Sequence, residues 1–121
     1  MTNKFAERII ANWEEVFKQG LLTFWIFIAL SESPLSVKDL KNKIKILTDE
    51  SYDPAEQTLY RSLRNHTQLG LVDFKEVETK GAPKTKNYSI TELGKEVLTE
   101  FTKKNISLFY KTSVKEIIKG E

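Results

Sequence analysis

The sequence predicts a mainly α-helical fold with a single small β-hairpin. Before residue 70, apolar residues recur at helical spacing in three stretches, and a fourth stretch, residues 21–30, is apolar on nearly all sides. Helical spacing returns from residue 93 onward. Residues 71–78 and 87–90 instead have the composition of short strands, and the segment between them contains Gly81 and Pro83, which favour a turn. The 121 residues are enough for one domain with a single hydrophobic core.

The composition indicates a folded protein and excludes several kinds of site. Hydrophobic residues make up 40% of the chain and aromatic residues 11%, which is typical of a globular domain. The sequence contains no cysteine, which rules out disulfides and cysteine-ligated zinc, and its single histidine rules out a multi-histidine metal site within one chain. We therefore expect neither a metal nor a cofactor. The net charge of +2 is too small to identify a partner by itself.

Targeting and catalytic signals are also not expected. The N-terminal residues mix Lys4, Glu7 and Arg8 with isolated apolar residues, which is not the pattern of a signal peptide. The apolar run over residues 21–30 is too short to span a bilayer and indicates a buried helix. A cytoplasmic protein is therefore predicted. Because the sequence offers no Ser–His–acid arrangement, glycine-rich phosphate loop or metal-ligand spacing, an enzyme is not expected.

Two apolar helices at the start of the chain favour a dimer. The first, over residues 3–18, places apolar side chains on one face that needs a partner surface, namely Phe5, Ile9, Trp13, Val16 and Phe17. Gly20 interrupts the pattern, and residues 21–30 are then apolar on nearly all sides. Such a helix in a small protein needs more cover than its own thin domain provides, which indicates a second subunit. The alternative is a central helix that its own chain covers.

Two further helices, joined by a polar loop, are predicted next. Ser36 and Asp39 have the spacing of a helix cap, and the first helix would bury Val37, Leu40, Ile44 and Leu47. Lysines occupy its other sides with only Asp39 against them, at positions Lys38, Lys41, Lys43 and Lys45. Asp53 and Pro54 are predicted to open the second helix, and Gly70 to close it in a left-handed conformation.

The second of these helices carries the side chains expected to read DNA. Leu59, Leu63 and either His66 or Thr67 would face the core. The opposite side has arginines, amides and an aromatic residue, which grip phosphates and read base edges, namely Gln57, Tyr60, Arg61, Arg64, Asn65 and Gln68. A solvated helix face is the alternative interpretation of this composition.

Two residues of this helix allow alternatives of their own. His66 could act as a pH switch, but a lone histidine on the inner side of a helix is more often a satisfied core residue. Tyr60 could touch a phosphate or pack under the hairpin.

The hairpin after Gly70 adds basic residues to these helices. Its turn is expected over residues 80–84, and the predicted tip carries Lys80, Lys84 and Lys86. Two short helices followed by such a hairpin form a winged helix-turn-helix, whose second helix enters the major groove of double-stranded DNA. Together with Arg61 and Arg64, the three lysines would make binding steeply dependent on salt.

The rest of the chain is predicted as one long helix that Thr91 caps. A helix of about 28 residues would be roughly 42 Å long and would extend beyond a winged-helix core. Its distal apolar face would pair with a second subunit, against the helix over residues 3–18. The predicted homodimer interface consists of Phe5, Ile9, Trp13, Phe17, Ile106, Phe109, Tyr110, Val114 and Ile117.

The predicted fold class is therefore mainly α with a small β-hairpin wing: a winged helix-turn-helix plus N-terminal and long C-terminal dimerisation helices. Residues 1–19 are assigned to the N-terminal helix with a dimer contact. Residues 20–92 are assigned to the DNA-binding winged helix-turn-helix, and residues 93–121 to the C-terminal dimerisation helix.

Several motifs resemble the PadR family of bacterial and archaeal transcriptional regulators. They are Thr58-Leu59-Tyr60-Arg61-Ser62-Leu63 followed by Gly70-Leu71-Val72, Gly20-Leu21-Leu22, Pro34-Leu35, and Tyr88-Ser89-Ile90-Thr91-Glu92-Leu93-Gly94. The resemblance covers approximately residues 18 to 100. It implies a homodimeric winged-helix repressor, dimerised through its C-terminal helix with help from the N-terminal helix, that binds a pseudo-palindromic operator.

The chain departs from the family pattern at three places. Ser36-Val37-Lys38-Asp39 stands where many members have a Gly-Tyr pair, and His66 occupies a position that is usually leucine. The C-terminal region is short, as in the smaller members, which argues against a large ligand-binding domain.

Two function classes remain open from the sequence. The first is a DNA-binding regulator that works on the cytoplasmic nucleoid. The second is a winged-helix protein-interaction or scaffold module without its own operator, which the small net charge and three hairpin acids (Asp73, Glu76 and Glu78) favour slightly. A small-molecule effector could occupy an aromatic slot at the dimer interface, although such aromatics are more often plain interface core; these are Trp13, Phe24, Trp25 and Phe27.

Overall fold

The computed structural model describes residues 3–120. Within that range the chain forms six α-helices and one two-stranded antiparallel hairpin. The elements are α1 (Lys4–Gly20), α2 (Leu22–Glu32), α3 (Val37–Leu47), α4 (Glu56–Gln68), β1 (Val72–Val77), β2 (Thr85–Ile90), α5 (Glu92–Phe101) and α6 (Thr112–Lys119). This mainly helical architecture with a hairpin wing confirms the predicted fold class.

The core forms around α2, which α3, α5 and β2 contact from different sides. Ile26 and Phe27 of α2 are fully buried, as are Leu40 of α3 and both Leu59 and Leu63 of α4. Burial of each such side chain contributes about 1.5–3 kcal/mol to the free energy of unfolding. The chain therefore covers much of its own most apolar helix, although Phe24, Trp25 and Ile28 stay half-buried, and the dimer inferred from α2 remains a prediction.

The predicted signals at helix ends are confirmed in part. The hydroxyl of Ser36 accepts a hydrogen bond from the amide of Asp39, at 3.2 Å, and caps α3. Gly70 has a φ of 78° and closes α4, with the amide of Leu71 donating to the carbonyl of His66 at 2.9 Å. The predicted start of α4 was wrong, because its cap is Ala55 and not Asp53.

Asp53 is engaged elsewhere, by a lysine of α3. The ammonium of Lys41 lies 2.6 Å from the carboxylate of Asp53 and also donates to the carbonyl of Pro54, at 2.9 Å. These bonds tie the loop before α4 to the outer side of α3. α4 begins two residues after Pro54, with Ala55 at its N-cap and no side-chain hydrogen bond there.

The hairpin begins its second strand earlier than the sequence suggested. Val72 pairs with Ile90 at the buried end, and Glu76 pairs with Lys86 near the turn. Lys86 therefore lies within β2 and not at the tip of the hairpin, contrary to the prediction. A single β-bridge also joins Leu35 to Tyr88, with both backbone hydrogen bonds between them at 2.8 and 3.0 Å. This bridge fixes the start of α3 against the hairpin.

The C-terminal region is not the single helix that was predicted. After α5 the chain forms a π-helical turn (Thr102–Ile106) and a 3₁₀ turn (Ser107–Tyr110), and Lys111 is extended with a ψ of 139°. Side chains of the turns bond to backbone carbonyls, since Asn105 donates to Phe101 and Ser107 to Thr102. Such local bonds compete with the regular helical ladder and allow the helix to break before α6.

Over the described residues, the helices are all too short or too polar to cross a membrane.

Candidate nucleic-acid interface

The outer face of α4 presents the predicted base-reading side chains. Leu59 and Leu63 anchor the inner face of this helix in the core. The predicted residues on the opposite face are all exposed: Gln57, Tyr60, Arg61, Arg64 and Asn65. Four of them, Gln57, Tyr60, Arg61 and Arg64, surround one shallow depression. The helix therefore displays a contiguous polar and cationic surface rather than scattered charges.

A groove of about 720 Å³ runs between α4 and the hairpin. Tyr60 and Arg64 border it from α4, and Lys84 and Lys86 from the hairpin. The structure thus brings together four of the eight predicted DNA-binding residues in one space. Arg61 and Gln57 lie beside the groove on α4, Asn65 is exposed on the same helix, and Lys80 lies exposed in the hairpin turn.

The groove also contains residues that sequence reasoning missed. Lys38, in the first turn of α3, adds a further cation to its lining, and Tyr88 of β2 forms part of its wall. Burial raises the pKa of the Tyr88 hydroxyl, nearby Tyr60 raises it further, and nearby Arg64 acts in the opposite direction. These three side chains therefore lie close together. No local sequence pattern places Lys38 here, because its position depends on the bridge between Leu35 and Tyr88.

The other lysines of α3 are largely neutralised, contrary to the predicted basic surface. Lys43 pairs with Glu32 at 3.2 Å and Lys45 with Glu50 at 3.8 Å, in addition to the pair between Lys41 and Asp53. The acids come from α2 and from the loop after α3, which the periodicity of α3 does not reveal. Exposed ion pairs of this kind contribute little to the free energy of unfolding. They do neutralise three of the four lysines of α3, and Lys38 is the one that still adds positive charge to the basic surface.

Lys86 occupies an unusual position on the wall of the groove. Its ammonium lies 4.4 Å from the centroid of the Phe74 ring, which is within the range of a cation–π contact. The ring of Phe74 in turn packs against that of Tyr88, with centroids 5.6 Å apart. The ammonium of Lys86 therefore lies over an aromatic pair of the hairpin, formed by Phe74 and Tyr88.

His66 is buried on the inner side of α4, as the interpretation of a satisfied core residue predicted, but the structure gives a partner to only one of its two ring nitrogens. Its Nε2 lies 3.1 Å from the hydroxyl of Thr23, and its ring packs edge-on against Phe27, 5.1 Å away. Nδ1 has no hydrogen-bond partner among the described residues. Burial lowers the pKa of the His66 imidazole from its ordinary value of 6.5.

Two of the four aromatic residues considered for an effector slot line one pocket of the single chain. Phe24 and Phe27 line a small apolar pocket of about 80 Å³ between α2 and α5. Trp25 packs edge-on against Phe24, and Trp13 is 72% exposed on α1.

The predicted dimer-interface residues are mostly exposed in the single chain. None of the described side chains of α1 is buried, and its apolar face includes Phe5 and Trp13 at 66% and 72% exposure. At the other end, Tyr110 and Ile117 are 72% and 81% exposed. The remaining predicted residues are exposed (Ile9, Phe17 and Phe109) or half-buried (Ile106 and Val114).

Comparison with known proteins identifies the family. The profile of the Transcriptional regulator PadR-like family matches residues 26–100, which include α3, α4 and the hairpin. The chain belongs to the PadR-like family. The chain is therefore a transcriptional regulator by family. The family is one of regulators and not of enzymes. A search of curated protein sequences gives no significant match.

Solved structures of PadR-like proteins share the fold. The PadR-like regulator BC4206 from Bacillus cereus is 25% identical, with a TM-score of 0.67 over 86% of this chain and 97% of that one. A PadR-family regulator from Eggerthella lenta is 22% identical, with a TM-score of 0.75 over 98% of this chain and 100% of that one. PadR from Bacillus subtilis, crystallised in complex with operator DNA, is 22% identical, with a TM-score of 0.61 over 67% of this chain and 46% of that one.

Proposed function

We propose that this PadR-like regulator is a sequence-specific repressor that acts as a homodimer on a pseudo-palindromic operator. The observation that carries the proposal is the groove between α4 and the hairpin, where cations of α3, α4 and β2 face one space. A groove of this kind suits the phosphate backbone of one DNA strand while the helix beside it enters the major groove. The operator complex of the similar Bacillus subtilis PadR supports this assignment.

The side chains divide into two roles in this proposal. Gln57, Arg61 and Arg64 contact base edges and the nearest phosphates, because arginine and amide side chains match the donor and acceptor pattern of purines. Tyr60, Asn65, Lys80, Lys84 and Lys86 hold the backbone of the DNA. Base contacts set the sequence preference, and phosphate contacts set the register and most of the salt dependence.

Homodimer formation follows from the apolar faces at the two ends of the chain. Residues 1–19 and 93–121 provide the dimer contacts in this proposal, and residues 20–92 bind DNA in the cytoplasmic nucleoid. Exposed apolar faces of this extent mark an interaction surface. Charge does not add to this argument, because the three acids of α1 (Glu7, Glu14 and Glu15) are balanced by Lys4, Arg8 and Lys18. The proposed pairing of α1 with the C-terminal segment of a second copy therefore rests on the apolar faces.

Sedimentation velocity at micromolar concentration tests the dimer. We expect a dimer for the unmodified protein, and a monomer for Trp13→Asp and for Ile117→Asp, because each variant puts a charge in the apolar contact. Ile46→Asp is the matched control, since Ile46 is 60% exposed on α3 and is not one of the predicted interface residues. A monomeric unmodified protein, or equal effects of all three variants, contradicts the proposed interface.

Fluorescence anisotropy tests DNA recognition itself. The purified protein is titrated against a duplex from upstream of its own gene and against a scrambled duplex, at several salt concentrations. We expect tighter binding to the upstream duplex and a slope of log affinity against log salt of roughly −4 to −5 per subunit for five phosphate contacts. Weak and equal binding to both duplexes would favour the protein-interaction module instead.

Repression is tested with a reporter under that upstream region, whose output should fall when the protein is expressed.

A further inference from the structure

The hairpin presents one face to the groove, and its composition changes along the strands. Val72 and Ile90 are paired and buried at the base of that face. Phe74 and Tyr88 are paired one step outward, where Phe74 is 39% exposed. Glu76 and Lys86 follow as the outermost pair on the same side. The face therefore passes from aliphatic to aromatic to charged toward the hairpin turn.

Lys86 contacts the aromatic ring and not the acid opposite to it. Its ammonium lies 4.4 Å from the centroid of Phe74. The ion pairs within residues 3–120 do not include Lys86, although Glu76 is its direct partner across the strands. The positive charge is thus oriented by a neutral side chain and is not cancelled by an anionic one.

We propose that Phe74 is a positioning residue for phosphate binding: its ring holds the ammonium of Lys86 on the groove side of the hairpin, opposite Arg64 of α4. The inference rests on the proposed DNA-binding function. A ring face attracts an ammonium at a fixed height and leaves its outer hydrogens free to donate to an anion. An aliphatic side chain of similar volume fills the same space but does not orient the charge.

The position of the ammonium determines what it can contact. Lys84 also borders the groove, and Lys80 lies in the hairpin turn. Lys86, in contrast, belongs to the paired strand, so its charge faces the space between the hairpin and α4. A phosphate seated there is contacted from both sides, by Lys86 and by Arg64, which fixes the distance of α4 from the DNA strand.

A double-mutant cycle with Phe74→Leu and Lys86→Ala tests this role. Affinity for the upstream duplex is measured by anisotropy at several salt concentrations. We expect Phe74→Leu to weaken binding about three- to tenfold and to reduce the salt slope by up to roughly one. In the Lys86→Ala background, Phe74→Leu should have no further effect. Phe74→Tyr keeps a ring and should bind like the unmodified protein. An equal loss from Phe74→Leu in both backgrounds overturns the inference.

Proton NMR of the free protein tests the contact without DNA. The ε-methylene protons of Lys86 should be shifted upfield by the ring, and this shift should vanish in Phe74→Leu and persist in Phe74→Tyr. A Lys86 side chain with ordinary shifts in the unmodified protein overturns the inference whatever the binding data show.

If the unmodified protein binds no duplex at all, the proposed function itself fails and the inference fails with it. If it binds but the cycle shows no coupling, the role of Phe74 alone is wrong.

Discussion

The backbone of Gly94, in the first turn of α5, packs directly against the main-chain carbonyl of Leu71. A β-carbon on Gly94 would overlap that oxygen and would lie 2.6 Å from Cγ1 of Ile90. The same corner is fixed by Thr91, whose hydroxyl donates to the carbonyl of Gly70 at 2.7 Å and accepts from the amide of Gly94 at 3.0 Å. The end of α4, the hairpin and the start of α5 therefore meet at one point without spare volume.

Gly94→Ala should lower the free energy of unfolding by about 2–3 kcal/mol, because backbone atoms have to move to admit the methyl group. Urea denaturation followed by circular dichroism, at one fixed protein concentration, measures the change. Gly20→Ala is the matched control, since a β-carbon at Gly20 meets nothing within 4 Å. That control should be neutral or stabilising by about 0.5–1 kcal/mol. Equal urea midpoints for the two variants would show that a methyl group on Gly94 can be accommodated beside the carbonyl of Leu71.

Local patterns in the sequence were sufficient to predict most of the fold. Helical periodicity located α1, α3 and α4, and a short, uniformly apolar run located α2. Short-range signals at Ser36, Gly70 and Thr91 marked ends that the structure confirms. Each of these signals depends on residues within a few positions of one another. They can therefore be recognised without knowledge of the tertiary structure.

The errors occur where a distant residue decides the local structure. Asp53 does not cap α4, and its carboxylate is instead bound by Lys41, twelve positions earlier. Lys86 is not at the hairpin tip because cross-strand pairing extends β2 to Thr85. The break in the helix after Thr91 is an exception, because it accompanies bonds from Asn105 and Ser107 to carbonyls four and five residues earlier, which the apolar spacing of this segment does not reveal. Of the candidate site, the exposed face of α4 could be predicted, whereas the groove depends on contacts between elements.

The buried imidazole of His66 should make stability depend on pH in a narrow range. Its folded-state pKa lies below 6.5, because burial disfavours the charged form. The unfolded state therefore binds more protons between the two pKa values, so stability is greatest above pH 6.5 and falls as the pH drops through the folded pKa. Between the two pKa values the free energy of unfolding changes by at most about 1.4 kcal/mol per pH unit.

Urea denaturation at pH 7.5 and pH 5.5 measures this effect. His66 is the only histidine in the sequence, so no second imidazole titrates in that interval. His66→Leu should remove most of the loss of stability between pH 7.5 and pH 5.5. Leucine can pack against Phe27 in place of the imidazole, and it has no group that binds a proton. The loss of the Thr23 contact should be tolerated, since Thr23 is exposed and water can replace His66. An unchanged pH dependence in the leucine variant argues against this assignment.

The loop after α3 contains two consecutive non-glycine residues in the left-handed region, Asp49 with a φ of 52° and Glu50 with a φ of 64°. A side chain at such a position is strained. Asp49→Gly should therefore raise the free energy of unfolding by about 0.5–1 kcal/mol. Asp49→Ala, which removes the same carboxylate but keeps a β-carbon, should bring no gain. A comparable gain in both variants would assign the effect to charge rather than to backbone conformation.

Arg61 and Lys84 should affect DNA binding in different ways if their roles are as proposed. Arg61 lies exposed on α4 beside the groove, and its proposed role is to contact bases. Arg61→Ala should therefore weaken binding by about 1–3 kcal/mol on the upstream duplex and little on a scrambled one. Lys84 borders the groove from the hairpin, and its proposed role is to contact phosphate. Lys84→Ala should weaken binding to both duplexes alike and reduce the salt slope by about one per subunit.

Anisotropy titrations with both duplexes at four salt concentrations separate the two effects. Lys45→Ala serves as the control for the loss of one positive charge, because Lys45 is paired with Glu50 on α3 and lies outside the groove. It should leave the affinities and the salt slope almost unchanged. If Arg61→Ala weakens both duplexes equally, Arg61 holds the backbone and the sequence preference comes from other residues of α4. If Lys84→Ala alters only the upstream duplex, the hairpin reads sequence, and the division of roles between α4 and the hairpin is wrong.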